Sequence, residues 1–92
     1  GPSPHEYLGA ALAACTSMTL KMYAGRKEMK LDNVIVTVDI ERVDDVETFT
    51  RDIQLIGNLT AEESQRLLEI ANKCPIHKAL AGQIQIKTQL VN

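Results

Sequence analysis

Aromatic side chains are scarce in this chain: Tyr7, Tyr23 and Phe49 are the only ones among 92 residues, and tryptophan is absent. Excess positive charge is absent too, with 10 Lys and Arg against 12 Asp and Glu and a net charge of -2. With no basic cluster interleaved with aromatics, nucleic acid is excluded as a default partner. Long apolar runs are missing as well. The longest uncharged stretch, residues 7–20, holds Thr16, Ser17 and Thr19 and is too short and too polar to span a membrane. It has no basic leader and does not read as a signal peptide. The expected compartment is therefore cytoplasmic, with no membrane partner. Cysteine is limited to Cys15 and Cys74, and two cysteines in such a chain are more often free, catalytic or redox-active than structural. The length suits one domain, residues 1–92, whose own core is marginal because a chain this short buries only about 60–65% of its unfolded surface. The chain opens Gly1-Pro2 without a methionine, which points to processing or to upstream sequence.

What is present reads as alternating helical and strand patterns. Ser3-Pro4-His5-Glu6 is a helix start, with serine as the capping oxygen, Glu6 placed to reach back, and proline where its missing donor costs nothing. Residues 7–24 then read as one helix, ending at Gly25 or a turn later at Arg26-Lys27. Gly9, Ala10, Ala11, Ala13 and Ala14 alternate with Leu8, Leu12, Met18, Leu20 and Met22, leaving no polar face. Such a helix must be buried on several sides, more than one small domain supplies, so a homodimer is expected. Met18 and Met22 are read as core gap-fillers.

Residues 33–43 alternate, with Val34, Val36, Val38 and Ile40 on one face. Asp44-Asp45 makes a turn, and residues 48–56 alternate again with Phe49, Ile53 and Leu55 inward, giving an antiparallel hairpin closed by Gly57-Asn58. Thr60 and Glu63 form a capping box. The helix behind it carries Leu67, Ile70, Ala71 and Cys74 on one stripe. Pro75 opens a short helix over residues 76–80, Gly82 stops it, and Ile84, Ile86, Thr88 and Leu90 alternate as a last strand. The fold class is α+β, in the order α-β-β-α-β.

Both cysteines sit on helices rather than in polar loops, about sixty residues apart. That suggests a dithiol reaction centre more than a disulfide staple. The competing reading is that each is an inert core thiol, since cysteine packs well as a small hydrophobe. A zinc site from Cys15, Cys74, His5 and His77 is disfavoured, because the spacing matches no finger and a buried helix is a poor source of tetrahedral ligands. His77 reads as structural, bonded within its own short helix. Cys74, before Pro75 at a helix start, is placed for a lowered pKa.

Two segments together, residues 1–20 with Cys15 and residues 67–77 with Cys74-Pro75-Ile76-His77, resemble the osmotically inducible protein C and organic hydroperoxide resistance (OsmC/Ohr) family. Met22-Tyr23-Ala24 resembles its OsmC-like subgroup. The resemblance covers essentially the whole chain and implies the C-terminal two-thirds of the family fold. It implies an intertwined homodimer in which long cysteine-bearing helices pack centrally against antiparallel sheet. It also implies a thiol-dependent hydroperoxide reductase of the oxidative stress response, peroxiredoxin-like in its chemistry. Cys15 would attack the peroxide and Cys74 would resolve the product to a disulfide. An external dithiol or lipoyl-type reductant, and no bound cofactor or metal, would complete the cycle. The alternative is a non-catalytic dimerisation module or a binding module for a small apolar ligand.

A free thiol has a pKa of about 8.5, so rapid attack near neutrality needs thiolate stabilisation. In the family an arginine from an N-terminal strand region, paired with a glutamate, supplies it. In this chain the capping motif puts His5 at the glutamate position, and Glu6, nine residues before Cys15, falls on the opposite side of a regular helix. His5, which could stabilise a thiolate when protonated, and Glu6 are nevertheless thiolate-stabilising candidates. Arg26, Arg42 and Arg51 are the cationic ones. Arg51 stands out because it lies on the apolar strand face between Phe49 and Ile53, although a strand arginine can also snorkel to the surface.

Overall fold

A 23-residue helix, α1 (Pro4–Arg26), organises the computed structural model, which describes residues 2–91. Gly1 and Asn92, the outermost residues of the expected domain, lie outside the described residues. The Ser3 hydroxyl caps α1 by accepting from the Glu6 N–H, with Pro4 in the first turn. The helix runs past Gly25 to Arg26 and ends in a six-residue closing motif. The Met29 N–H donates to the Ala24 carbonyl at 2.9 Å and the Glu28 N–H to the Gly25 carbonyl at 3.3 Å. Glu28 takes the left-handed conformation, φ 56°, that this motif demands and that glycine usually occupies.

Two strands follow, β1 (Leu31–Val43) and β2 (Val46–Gly57), paired antiparallel. Asp44 and Asp45 both have positive φ, 52° and 65°, which gives the two-residue turn whose twist matches the flanking strands. The alternation seen in the sequence holds: Val34 is buried, and Val36, Val38 and Ile40 are half-buried, opposite half-buried Leu55, Ile53, Arg51 and Phe49 in register. At Gly57, φ 153°, a Cβ would collide with the Lys30 carbonyl, so glycine is required where β2 leaves the ladder.

The remaining helices are α2 (Ala61–Ala71), opened by the Thr60–Glu63 capping box, and α3 (Pro75–Ala81), capped by Cys74. The core lies where α1 meets α2 and the sheet: Leu20, Ala24, Val34, Leu67, Ile70 and Ala71 form one buried cluster. Leu20 and Leu67 are completely enclosed, each contributing about 1.5–3 kcal/mol by removal from water.

Two expectations need correction. The order is α-β-β-α-α, not α-β-β-α-β. Residues 83–91 keep their alternating pattern but adopt no regular structure, and Ile86 and Leu90 are 86% and 87% exposed. A strand exists only through its ladder partner, and this segment pairs with neither β1 nor β2. The second correction concerns α1. Within one chain it buries a single stripe, Gly9, Leu12, Thr16, Leu20 and Ala24. Met18 and Met22, read as core residues, are 65% and 60% exposed, alongside exposed Tyr7 and Leu8. Among the described residues, no helix is long and apolar enough to cross a membrane.

Candidate functional site

The three helices and β2 converge on the two sulfurs. Cys15 comes from the middle of α1, half-buried beside the inward stripe, and Cys74 from the break between α2 and α3, fully buried; both are free thiols. The break places Cys74 because Pro75 cannot continue α2 yet suits the first position of α3. The His77 N–H then donates to the Cys74 sulfur at 3.5 Å. Burial alone would push the Cys74 thiol up, but hydrogen bonding from Cys15, from the His77 and Ile76 backbone and from Thr16 outweighs it and holds the thiol below its usual range.

A cation stands next to this pair. Arg51 extends inward from β2, and its Nη1 donates to the Thr16 hydroxyl at 3.1 Å and to the Ala71 carbonyl at 3.2 Å; Nη2 donates to Asn72 Oδ1 at 3.1 Å. It does not snorkel. The Ala71 carbonyl also accepts the Cys74 N–H at 3.3 Å, so one oxygen joins the guanidinium to the cysteine backbone. Thr16 in turn donates to the Leu12 carbonyl at 2.7 Å. His77, partly buried and close to Arg51, is held below the ordinary histidine range first by burial and then by that positive charge. It is therefore neutral near pH 7.

Arg51 and His77 also form one wall of a cleft of about 240 Å3 completed by Leu12, Glu47, Phe49, Leu80 and Ala81. The mixture of apolar walls with a few convergent polar groups resembles that of a small-molecule site, with a volume just below the usual range of about 300–1,000 Å3. Glu47 is tied by one oxygen to His5 Nε2 at 3.0 Å and to Arg42 Nη1 at 3.1 Å, while its other oxygen is buried without a partner among the described residues.

Of the residues singled out from the sequence, Cys15, Cys74 and Arg51 come together. His5 and Glu6 do not join them. They occupy the first turn of α1, ten and nine residues before Cys15, about 15 Å along the axis. Both line a separate groove between α1 and β1, and His5 is committed to Glu47. Arg42 belongs to that same Glu47 cluster, and Arg26 is exposed at the end of α1. Sequence reasoning passed over Thr16, Asn72 and Glu47. Thr16 carried a signal, being the one polar residue on the stripe Leu12, Thr16, Leu20, Ala24. Asn72 and Glu47 carried none, because their roles depend on where β2 crosses the helices.

These features match a known class. A family model for OsmC-like proteins matches residues 1–89, and the chain belongs to the OsmC family. Solved structures similar to it include an OsmC-like hydroperoxide resistance protein from Jannaschia sp., with TM-score 0.75 at 24% identity, covering 100% of this chain and 68% of that one. An organic hydroperoxide resistance protein from Elizabethkingia anophelis matches with TM-score 0.66 at 28% identity, over 91% of this chain and 64% of that one. The organic hydroperoxide resistance protein OsmC of Legionella pneumophila matches with TM-score 0.65 at 24% identity, over 89% and 64%. The chain thus spans 58% to 68% of the length of such proteins. Comparison with curated proteins finds no match.

Proposed function

We propose that the protein reduces organic hydroperoxides with the Cys15–Cys74 pair, in the cytoplasm and as a homodimer. The observation that carries this reading is the convergence of two free thiols from separate elements beside a tethered arginine. The family and its hydroperoxide resistance neighbours support peroxide chemistry.

In this mechanism the resting negative charge lies on Cys74, whose thiol is held low, and Cys15 hands its proton to Cys74 as it attacks. With the proton on Cys74, the Cys15 thiolate attacks the terminal peroxide oxygen. The O–O bond breaks, Cys15 becomes a sulfenic acid, and the departing alkoxide takes the Cys74 proton to leave as the alcohol. The Cys74 thiolate then attacks the Cys15 sulfur, forming the disulfide and releasing hydroxide, which water neutralises. The peroxide has gained two electrons and the thiols have lost them. An external dithiol, of lipoyl or small-thiol type, restores the pair by exchange; no bound cofactor is needed. The cleft beside Arg51 receives the organic group on Leu12, Phe49 and Leu80.

The dimer follows from the apolar face of α1 that its own chain leaves open, from Tyr7 and Leu8 to Met18 and Met22. The cleft taken alone favours a second reading, a binding module for a small apolar ligand. Turnover of cumene hydroperoxide by the reduced protein separates the two. The reductase reading expects Cys15→Ser to abolish turnover, and Cys74→Ser to allow one oxidation followed by over-oxidation. Equal, slow rates in all three proteins favour the binding module.

A further inference from the structure

Arg51 carries a positive charge that no carboxylate offsets. Its three hydrogen bonds end on neutral acceptors, the Thr16 hydroxyl, the Ala71 carbonyl and the Asn72 amide oxygen, and none ends on sulfur. Among the described residues the ion pairs join Arg42 to Asp45 and Glu47, and His5 to Glu47; none includes Arg51. A guanidinium has five donors. Both on Nη1 and one on Nη2 are in use, which leaves the Nε–H and one N–H of Nη2. A partly buried charge without a counter-ion is costly, and the three tethers keep this one from turning out to solvent.

That charge stands in the wall of the cleft of about 240 Å3, opposite a lining that is mostly apolar, Leu12, Phe49, Leu80 and Ala81. Glu47, the single carboxylate of the lining, already has Arg42 and His5 on one oxygen, and its other oxygen is buried. His77 is neutral near pH 7, since burial and the Arg51 charge oppose its protonation. Cys74 is fully buried and lies outside the lining. The cleft therefore offers one uncompensated cation, two spare donors and a short apolar trough.

We propose that this cleft is a binding site for a small organic monocarboxylate, whose two oxygens take the spare donors of Arg51 and whose short aliphatic chain lies on Leu12, Phe49 and Leu80. The planar guanidinium matches the spacing of carboxylate oxygens, and each methylene placed on the apolar wall adds to affinity. The site coincides with the place where the reductase reading puts the organic group of the peroxide. It deepens that reading, because an occupying carboxylate competes with the peroxide, but its binding is tested without peroxide.

Hexanoate is the probe, with 1-hexanol as its uncharged counterpart and acetate as the anion without a chain. Binding to the reduced protein near pH 7 is followed by the imidazole proton shifts of His77, whose ring lines the cleft. Hexanoate is expected to give a saturable shift, with hexanol and acetate each weaker by about tenfold. Arg51→Met is expected to erase the preference for hexanoate over hexanol. Should that variant not fold, the hexanoate-to-hexanol ratio in the unaltered protein decides the matter. No saturable shift with hexanoate, hexanol or acetate binding as tightly as hexanoate, or a preference that survives in Arg51→Met, overturns the site. Hexanoate binding in a protein that turns over no peroxide would overturn the reductase reading and leave the carboxylate site standing.

Discussion

Arg51 on β2 donates to the carbonyl of Ala71, the last residue of α2, at 3.2 Å. The C-terminus of a helix leaves carbonyls without partners and carries partial negative charge. The last turn of α2 has no basic residue of its own, so a strand arginine provides what the helix lacks. One side chain therefore ties the sheet to α1 through Thr16 and to the start of the Cys74 loop.

Replacing Arg51 should cost stability as well as reactivity. Arg51→Met removes three hydrogen bonds, among them one of the two that the Ala71 carbonyl accepts. A loss of about 1–3 kcal/mol is expected in urea unfolding. Arg51→Lys should recover only part of it, because one ammonium cannot reproduce a planar fork reaching three acceptors. Lysine performing as well as arginine would show that charge alone matters there.

The enclosed pair Leu20 and Leu67 sets the stability of the helix packing. Leu67→Ala should destabilise by about 2–5 kcal/mol, the transfer loss plus the cavity. Leu68→Ala, one position along and 52% exposed, should cost far less in the same denaturation series.

Glu28 occupies a left-handed position at the end of α1. Side chains other than glycine are disfavoured there by about 1 kcal/mol or more. Glu28→Gly should raise the midpoint of thermal unfolding, while Glu28→Val should lower it.

His77 resists protonation in the folded chain because burial and the Arg51 charge both oppose it. The unfolded chain binds that proton first on acidification. The His77 contribution to stability is therefore complete above the ordinary histidine pKa of about 6.5 and is lost as pH falls through its lower folded value. A His77→Gln variant should show a flatter stability profile over that window, and imidazole proton shifts should show a midpoint below that of a free histidine.

Most of this fold was legible in the sequence, because period-two alternation, a capping box and a proline break act locally. Val34, Val36, Val38 and Ile40 face inward as their spacing indicates, and Thr60 with Glu63 opens α2. Residues 84–90 have the same alternation, but alternation states only that a strand would have two faces; it does not supply the neighbour. What covers the rest of α1 is likewise not written locally. Its composition marks every side as apolar, whereas one small chain covers only the stripe through Leu12, Thr16 and Leu20. At the site, Cys15, Cys74 and Arg51 were visible as residues out of keeping with their surroundings. Glu47 was not, since an acidic residue near a turn looks like any other until His5 is seen bonded to it.

The most direct test of the central claim is the mass of the reduced protein after one equivalent of cumene hydroperoxide. The dithiol mechanism expects a loss of two hydrogens with Cys15 and Cys74 joined in a single peptide pair, and an oxygen adduct on Cys15 in the Cys74→Ser variant. An unchanged mass, or oxidation that proceeds equally well in Cys15→Ser, would contradict it.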